Sequence, residues 1–242
     1  MSSIAIASIY ADLLGTYGDG GNVLALAHRA RLRDFDVQVI RVEPGAAVPT
    51  LADIYVLGGG EDTAQVAACE ALRTDGALAA AGQRGAAVLA ICAGYQLLGE
   101  YFPNAVGEPA PGLGLLDIRT DRLPQRAVGE LATSPLQAGG SALLDRDRFT
   151  GYENHAGGTV RGPGISALAR VDVGVGNGDG TEGSVSGHIV GTYLHGPCLA
   201  RNPDIADQLL SWALGRELTE LVEPEVAQLR AERFGAVSET RR

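Results

Sequence analysis

Three observations predict an α/β protein with a mainly parallel central sheet flanked by helices and additional antiparallel strands. Hydrophobic runs of strand length alternate with helix-patterned stretches through residues 4–100. Two of these runs stop abruptly, one at a triple glycine and one at a cysteine followed by small residues. Residues 107–180 then change character, to short strand-like pieces between glycine-rich turns. Alternating strand and helix argues for a parallel sheet covered on both faces. The glycine-rich middle argues for antiparallel pairing.

"IAIASIY" (4–10) reads as the first strand. It has no basic segment before it and is too short for a leader, so it is not expected to be a signal peptide. "GNVLALAHRARLRDF" (21–35) has helical spacing, with Asp19 or Asn22 as candidate caps. "DVQVIRV" (36–42) alternates like a strand. "DIYVLGGG" (53–60) is a buried strand entering a tight turn, and 63–85 is helical with a break near Gly76. "AAVLAIC" (86–92) is a further buried strand, and "GYQLLGEYF" (94–102) is expected to open a helix. "SGHIVGTYLHGP" (186–197) returns to a hydrophobic strand. "PDIADQLLSWALGREL" (203–218) is an amphipathic helix, and 223–235 reads as a surface helix. The expectation is one domain over 1–242, with a C-terminal helical extension from about 219.

The bulk composition removes several function classes. The chain has 242 residues, 45% of them hydrophobic, enough for a full core. All 19 basic residues are arginine. Without lysine there is no Schiff-base chemistry and no Walker-type phosphate loop. A net charge of −10 with no basic stripe argues against nucleic acid. No run approaches a membrane span. The three cysteines, Cys69, Cys92 and Cys198, are far apart and odd in number, so a reducing cytoplasm is expected rather than a disulfide framework. No cofactor motif is present.

Cys92 closes its strand and is followed by Ala93 and Gly94, the pattern of a nucleophile on a sharp strand-to-helix turn. The N-terminus of the next helix favours the thiolate form, and the Ala93 amide is placed to stabilise an oxyanion. The alternative is a structural cysteine, a common choice at a buried strand end. "VLGGGED" (56–62) ends its strand at the same sheet edge, where Gly59 and Gly60 could offer further amides. It reads equally as a tight turn before a helix. Of the histidines, His28 lies on a helix surface. His188 and His195 bracket one strand and are roughly 20 Å or more apart, so only His195 can share the edge with Cys92. His155, in a stretch read as a loop, stays open. Cys198 three residues after His195 could suggest metal ligation, but a closed site needs four ligands and no second pair exists.

The set "AICAGYQLLG", "LGGGED" and "GTYLHGP" resembles class I (triad-type) glutamine amidotransferases, in the branch of the cobyric acid and cobyrinate diamide synthases. "TYGDGGNVLAL" (16–26), "RAVGE" (126–130) and "GYENHAGG" (151–158) narrow the resemblance to glutaminase subunits of lipid II isoglutaminyl synthases, over about residues 5–215. The resemblance implies a class I glutamine amidotransferase fold and a glutaminase with no cofactor and no metal. Cys92 would be its nucleophile and His195 its acid–base. Ala93 with Gly59 and Gly60 would form the oxyanion hole, and Arg126 would bind the α-carboxylate of L-glutamine. Its implied partner is a Mur-ligase-like ATP-dependent synthetase (MurT-type), through which ammonia reaches lipid II. One departure stands out. Many relatives carry a glutamate two residues after the histidine, where this chain has Pro197. The third catalytic carboxylate is therefore expected from the partner subunit, or from Glu153. "YGDGGN" is read only as a turn and cap. A glutaminase for another acceptor, such as a corrin carboxylate, and a non-catalytic scaffold on the same fold are the competing readings.

Overall fold

The computed structural model describes residues 3–136 and 148–239. The part of the expected glycine-rich segment at 137–147 lies outside the described residues. Strand β1 (Ser3–Ile9) leads through a loop to helix α1 (Gly20–Arg31), then β2 (Asp36–Val42), β3 (Ile54–Leu57), α2 (Asp62–Asp75) and α3 (Ala77–Gln83). Gly76 separates the last two helices in a left-handed conformation (φ 72°), the break expected there. β4 (Ala87–Ile91) and α4 (Ala93–Leu97) follow.

α4 has only five residues, and the chain returns at once into β5 (Tyr101–Pro103) and β6 (Pro109–Pro111). The helix expected through residue 102 therefore stops early. A physical reason is visible at Gly99, where an added Cβ would meet the Ile118 carbonyl oxygen at 2.6 Å. The chain is already docking on the next sheet at that point.

The middle of the chain differs more from expectation. Instead of short pieces, two long strands, β7 (Ile118–Ser134) and β8 (Thr150–Arg161), pair antiparallel. β9 (Ala169–Val173), β10 (Thr181–Glu182), β11 (Ser184–Ser186) and β12 (Ile189–Thr192) come next. Helices α5 (Cys198–Arg201), α6 (Pro203–Leu214) and α7 (Pro224–Glu239) complete the described chain.

Two six-stranded sheets result. The first has the order β11-β12-β4-β3-β1-β2 and is parallel except for β11. β3 and β4 are buried along their whole length, as strands covered on both faces must be. The second sheet runs β10-β9-β7-β5-β6, with β8 on β7. One antiparallel bridge, Tyr152 to His195, ties β8 to the segment after β12. Four parallel strands, β1, β3, β4 and β12, thus release their chain at one carboxyl edge, facing the second sheet. That edge is where open α/β sheets place their ligands. Among the described residues, no helix is long and apolar enough to cross a membrane.

Candidate active site

Cys92 follows β4 with φ 50° and ψ −105°. A non-glycine residue holds such a backbone only when its surroundings enforce it, at a cost of about 1–3 kcal/mol. Here the enforcement is visible. The Cys92 amide donates to Thr192 O (2.8 Å), and Gly94 N–H donates to Gly58 O (3.1 Å). The sharp turn leaves Ala93 as the first residue of α4, so its amide has no acceptor within the helix. The other two cysteines are different. Burial pushes the Cys69 thiol up to about 11 and raises Cys198 further, so both are inert core thiols. The Cys198 sulfur receives Asn202 Nδ2 at 3.9 Å, and no group of three potential metal ligands exists among the described residues.

His195 lies three residues beyond β12 and is almost wholly buried. Its Nδ1 is 3.2 Å from both carboxylate oxygens of Asp19. Its Nε2 has no well-formed hydrogen bond among the described residues, and the ring interacts with the Cys92 sulfur. Burial works against charge on the ring. The Asp19 carboxylate and the neighbouring Cys92 sulfur outweigh it and push the imidazole up to about 10. The edge of the Tyr17 ring packs on it, with centroids 4.9 Å apart.

The carboxylate beside His195 therefore comes from this chain, from the stretch read as a cap. Asp19 occupies the N-cap position of α1 but makes no side-chain cap bond. Its Oδ2 instead accepts the Gly59 amide at 2.8 Å. Glu153, the candidate within the chain, faces elsewhere. It accepts the amides of Val175 (2.8 Å) and Gly176 (2.9 Å) and lies 3.3 Å from His155 Nε2. Pro197, two residues after His195, packs on α1. A Cβ on Gly21 would be 2.2 Å from its Cγ. Proline and glycine thus bring the start of α1, with Asp19, against the histidine.

Gly59 sits at the centre of this group. A Cβ there would stand 2.7 Å from His195 Cε1, 3.3 Å from Asp19 Oδ2 and 3.4 Å from Cys92 Cβ. Its amide is used by Asp19, which removes Gly59 from the expected oxyanion pair. Gly60 lines the pocket beside Cys92 and Ala93.

The opposite wall comes from the second sheet. Arg122 pairs with Gly157 and Ala127 with His155, so residues 123–126 stand opposite Ala156 alone. This irregularity turns Arg126 into the pocket, where its Nε donates to Asn154 Oδ1 at 2.7 Å. Glu61 and Tyr17 line the same mouth. His155 lies in β8, not in a loop. It also lines the pocket, stacked on Tyr193 at 3.7 Å, but its ring nitrogens meet Gly157 O (2.7 Å) and Glu153. His28 is exposed beside Glu223. His188 is at the far end of β12, next to Gly85 and stacked on Trp212. Sequence reasoning missed Asp19, and also Gln96, whose amide is buried on the pocket wall between Gln65 and Tyr193. A signal for Asp19 was available. It is an acidic residue in the loop after a parallel strand, at the edge that carries Cys92.

The fold and this arrangement of residues are those of a glutamine amidotransferase. Residues 5–203 match the family of CobB/CobQ-like glutamine amidotransferase domains, and the chain belongs to it. The subunit GatD of lipid II isoglutaminyl synthase (glutamine-hydrolyzing) from Staphylococcus aureus is 34% identical over 224 residues, 90% of this chain and 87% of that protein. A cobyric acid synthase of Sphingopyxis alaskensis is 32% identical over 80% of this chain, but the match spans 40% of that longer protein. A crystal structure of a glutamine amidotransferase shares the fold with a TM-score of 0.55 at 20% identity, over 86% of this chain and 98% of the other.

Proposed function

We propose that this chain is the glutaminase subunit of a lipid II isoglutaminyl synthase. The observation that carries the chemistry is the convergence of Cys92, His195 and Asp19 around Gly59 at one sheet edge. The Cys92 sulfur attacks the side-chain amide carbon of L-glutamine, forming a carbon–sulfur bond. The oxyanion so formed is held by the amides of Ala93 and Gly60. His195 gives its Nε2 proton to the departing nitrogen, the carbon–nitrogen bond breaks, and ammonia leaves. Water then adds to the thioester, His195 takes its proton, and glutamate is released with the thiolate restored. Asp19 holds the ring with Nδ1 protonated throughout, the orienting role of a triad carboxylate. Arg126 matches the α-carboxylate of the substrate, and Glu61 across the mouth matches its α-ammonium.

Ammonia passes to a Mur-ligase-like ATP-dependent partner, which amidates the D-glutamate α-carboxyl of the lipid II stem peptide to D-isoglutamine. The near full-length likeness to GatD supports this acceptor over a corrin. The corrin-type relative is matched over 40% of its length, as one domain of a larger protein. Assembly with a soluble partner in the cytoplasm completes the proposal. The test is a tagged pull-down from the native host, followed by amidation of lipid II with glutamine and ATP. Co-purification of a Mur-ligase-like protein and formation of D-isoglutamine are expected. A corrin-type synthetase, or none, refutes the acceptor and leaves the glutaminase chemistry standing.

A further inference from the structure

Glu182 is fully buried in β10 with no cationic side chain among its hydrogen-bond partners. An uncompensated carboxyl group in a core is costly, so its retention calls for a reason. Its Oε1 accepts the Thr192 hydroxyl at 2.5 Å and the Tyr193 amide at 2.8 Å. The Thr192 hydroxyl in turn accepts the Leu194 amide at 3.1 Å. The next amide, that of His195, donates to Tyr152 O at 2.9 Å. After β12 ends at Thr192, the chain thus has three amides before its histidine ring. Two of them are held, directly or through one hydroxyl, by a single carboxylate oxygen. Tyr193, fixed in this way, stacks on His155 and receives Gln96 Nε2 on its hydroxyl at 3.3 Å, which builds the pocket wall.

The carboxyl also joins two sheets. Glu182 belongs to the second sheet by its pairing with Ala169, while Thr192 closes a strand of the first. Gly183 makes the crossing possible, since a Cβ there would meet Gly191 O at 2.5 Å. Oε2 has no partner. Burial foremost, then the negative charge of Glu153, raises the carboxyl to about 7 against the Thr192 and Tyr193 bonds.

We propose that Glu182 is a positioning residue of the glutaminase reaction, holding the Thr192–Leu194 turn so that the His195 ring meets Cys92. This rests on the roles given above to Cys92 and His195. The test uses the full chain, alone and with its synthetase partner, and the variants Glu182→Ala, Glu182→Gln and Thr192→Val. Glutamate release gives kcat and KM. The pH dependence of Cys92 alkylation by iodoacetamide, read on its own peptide, reports the sulfur–imidazole pair. Glu182→Ala is expected to lower kcat by about 10²-fold, the usual cost of a misplaced catalytic group, with KM within about threefold. Its alkylation profile should depart from that of the parent. Glu182→Gln keeps an acceptor for both bonds and should restore kcat to within about threefold of the parent. Thr192→Val should fall between the two. The inference is overturned if Glu182→Ala keeps kcat within twofold. It is also overturned if that variant loses kcat with an unchanged alkylation profile and no rescue by glutamine. Should the alanine variant not fold, a Thr192→Val protein with parental kcat overturns it equally. Cys92→Ala separates the two levels. If it still turns over, the glutaminase reading fails; if it is inert while Glu182→Ala is fully active, only the positioning role fails.

Discussion

Gly59→Ala replaces one hydrogen by a methyl group at the point where the three groups of the site converge. The new Cβ would be 2.7 Å from His195 Cε1. Carbon atoms rest at about 3.5 Å or more, so the contact is short by about 0.8 Å. The Cys92 Cβ at 3.4 Å and Asp19 Oδ2 at 3.3 Å leave little room on the other sides. The backbone at 59 is not in the left-handed region, so alanine does not strain it. The ring is what moves, by most of that 0.8 Å. Displacing a catalytic group by about 1 Å costs about 10²-fold in rate. The expected result is a kcat for glutamate release lower by 10¹–10²-fold, about 1.4–2.7 kcal/mol of activation free energy. KM should change little, because Arg126 stands on the opposite wall, on the second sheet. Circular dichroism and thermal unfolding check that the fold persists. A kcat within threefold of the parent, with the same unfolding temperature, would refute the claim that these atoms form the reacting centre.

Other consequences can be read from the same geometry. Asp19→Asn removes the negative charge that holds Nδ1 protonated and leaves one oxygen where two serve Gly59 and the ring, and should lower kcat by roughly 10²–10⁴-fold in the isolated chain and in the complex alike; a loss seen in neither would return the third carboxylate to the partner. Arg126→Ala should raise KM for glutamine by more than tenfold with a smaller change in kcat, measured by steady-state glutamate release. The raised His195 stabilises the native state below its unfolded value of 6.5, and that stability is lost as pH rises toward about 10. Urea midpoints at pH 6, 8 and 10 should therefore fall more steeply for the parent than for His195→Gln. Parallel curves would rule out the charged ring.

The sequence disclosed the sheet edge better than what completes it. Strands that are buried on both faces announce themselves by continuous hydrophobic runs, so β3 and β4 and the residues after them were legible. Cys92 and the Gly59–Gly60 turn stood out from that pattern, with a structural cysteine and a plain tight turn as the competing readings, and His195 was set apart from His188 by its end of the strand while His155 stayed open. Asp19 was not legible as a functional residue, because its partner is 176 residues away and its local setting is a good cap. Cap propensity describes what an aspartate can do near a helix start. It does not say whether a tertiary donor is available that wins over the cap bond, as the His195 ring does here.

Glycine misled the reading of the middle for a different physical reason. A glycine pattern marks either a turn that needs positive φ or a strand that needs room. In β8 it is room. A Cβ on Gly151 would meet Leu194 Cβ at 2.8 Å, and one on Gly157 would meet Gln96 Nε2 at 2.4 Å. Both contacts reach across to segments that leave the first sheet, the turn before His195 and helix α4 on the pocket wall. The residues that made "GYENHAGG" look like a loop are the ones that let β8 lie against the catalytic edge. The two sheets can approach closely enough to form one pocket only where side chains are missing between them. The density of glycine in this region is thus itself part of the site, which explains why a motif written in Gly, Asn and His identifies the family while naming few of the reacting groups.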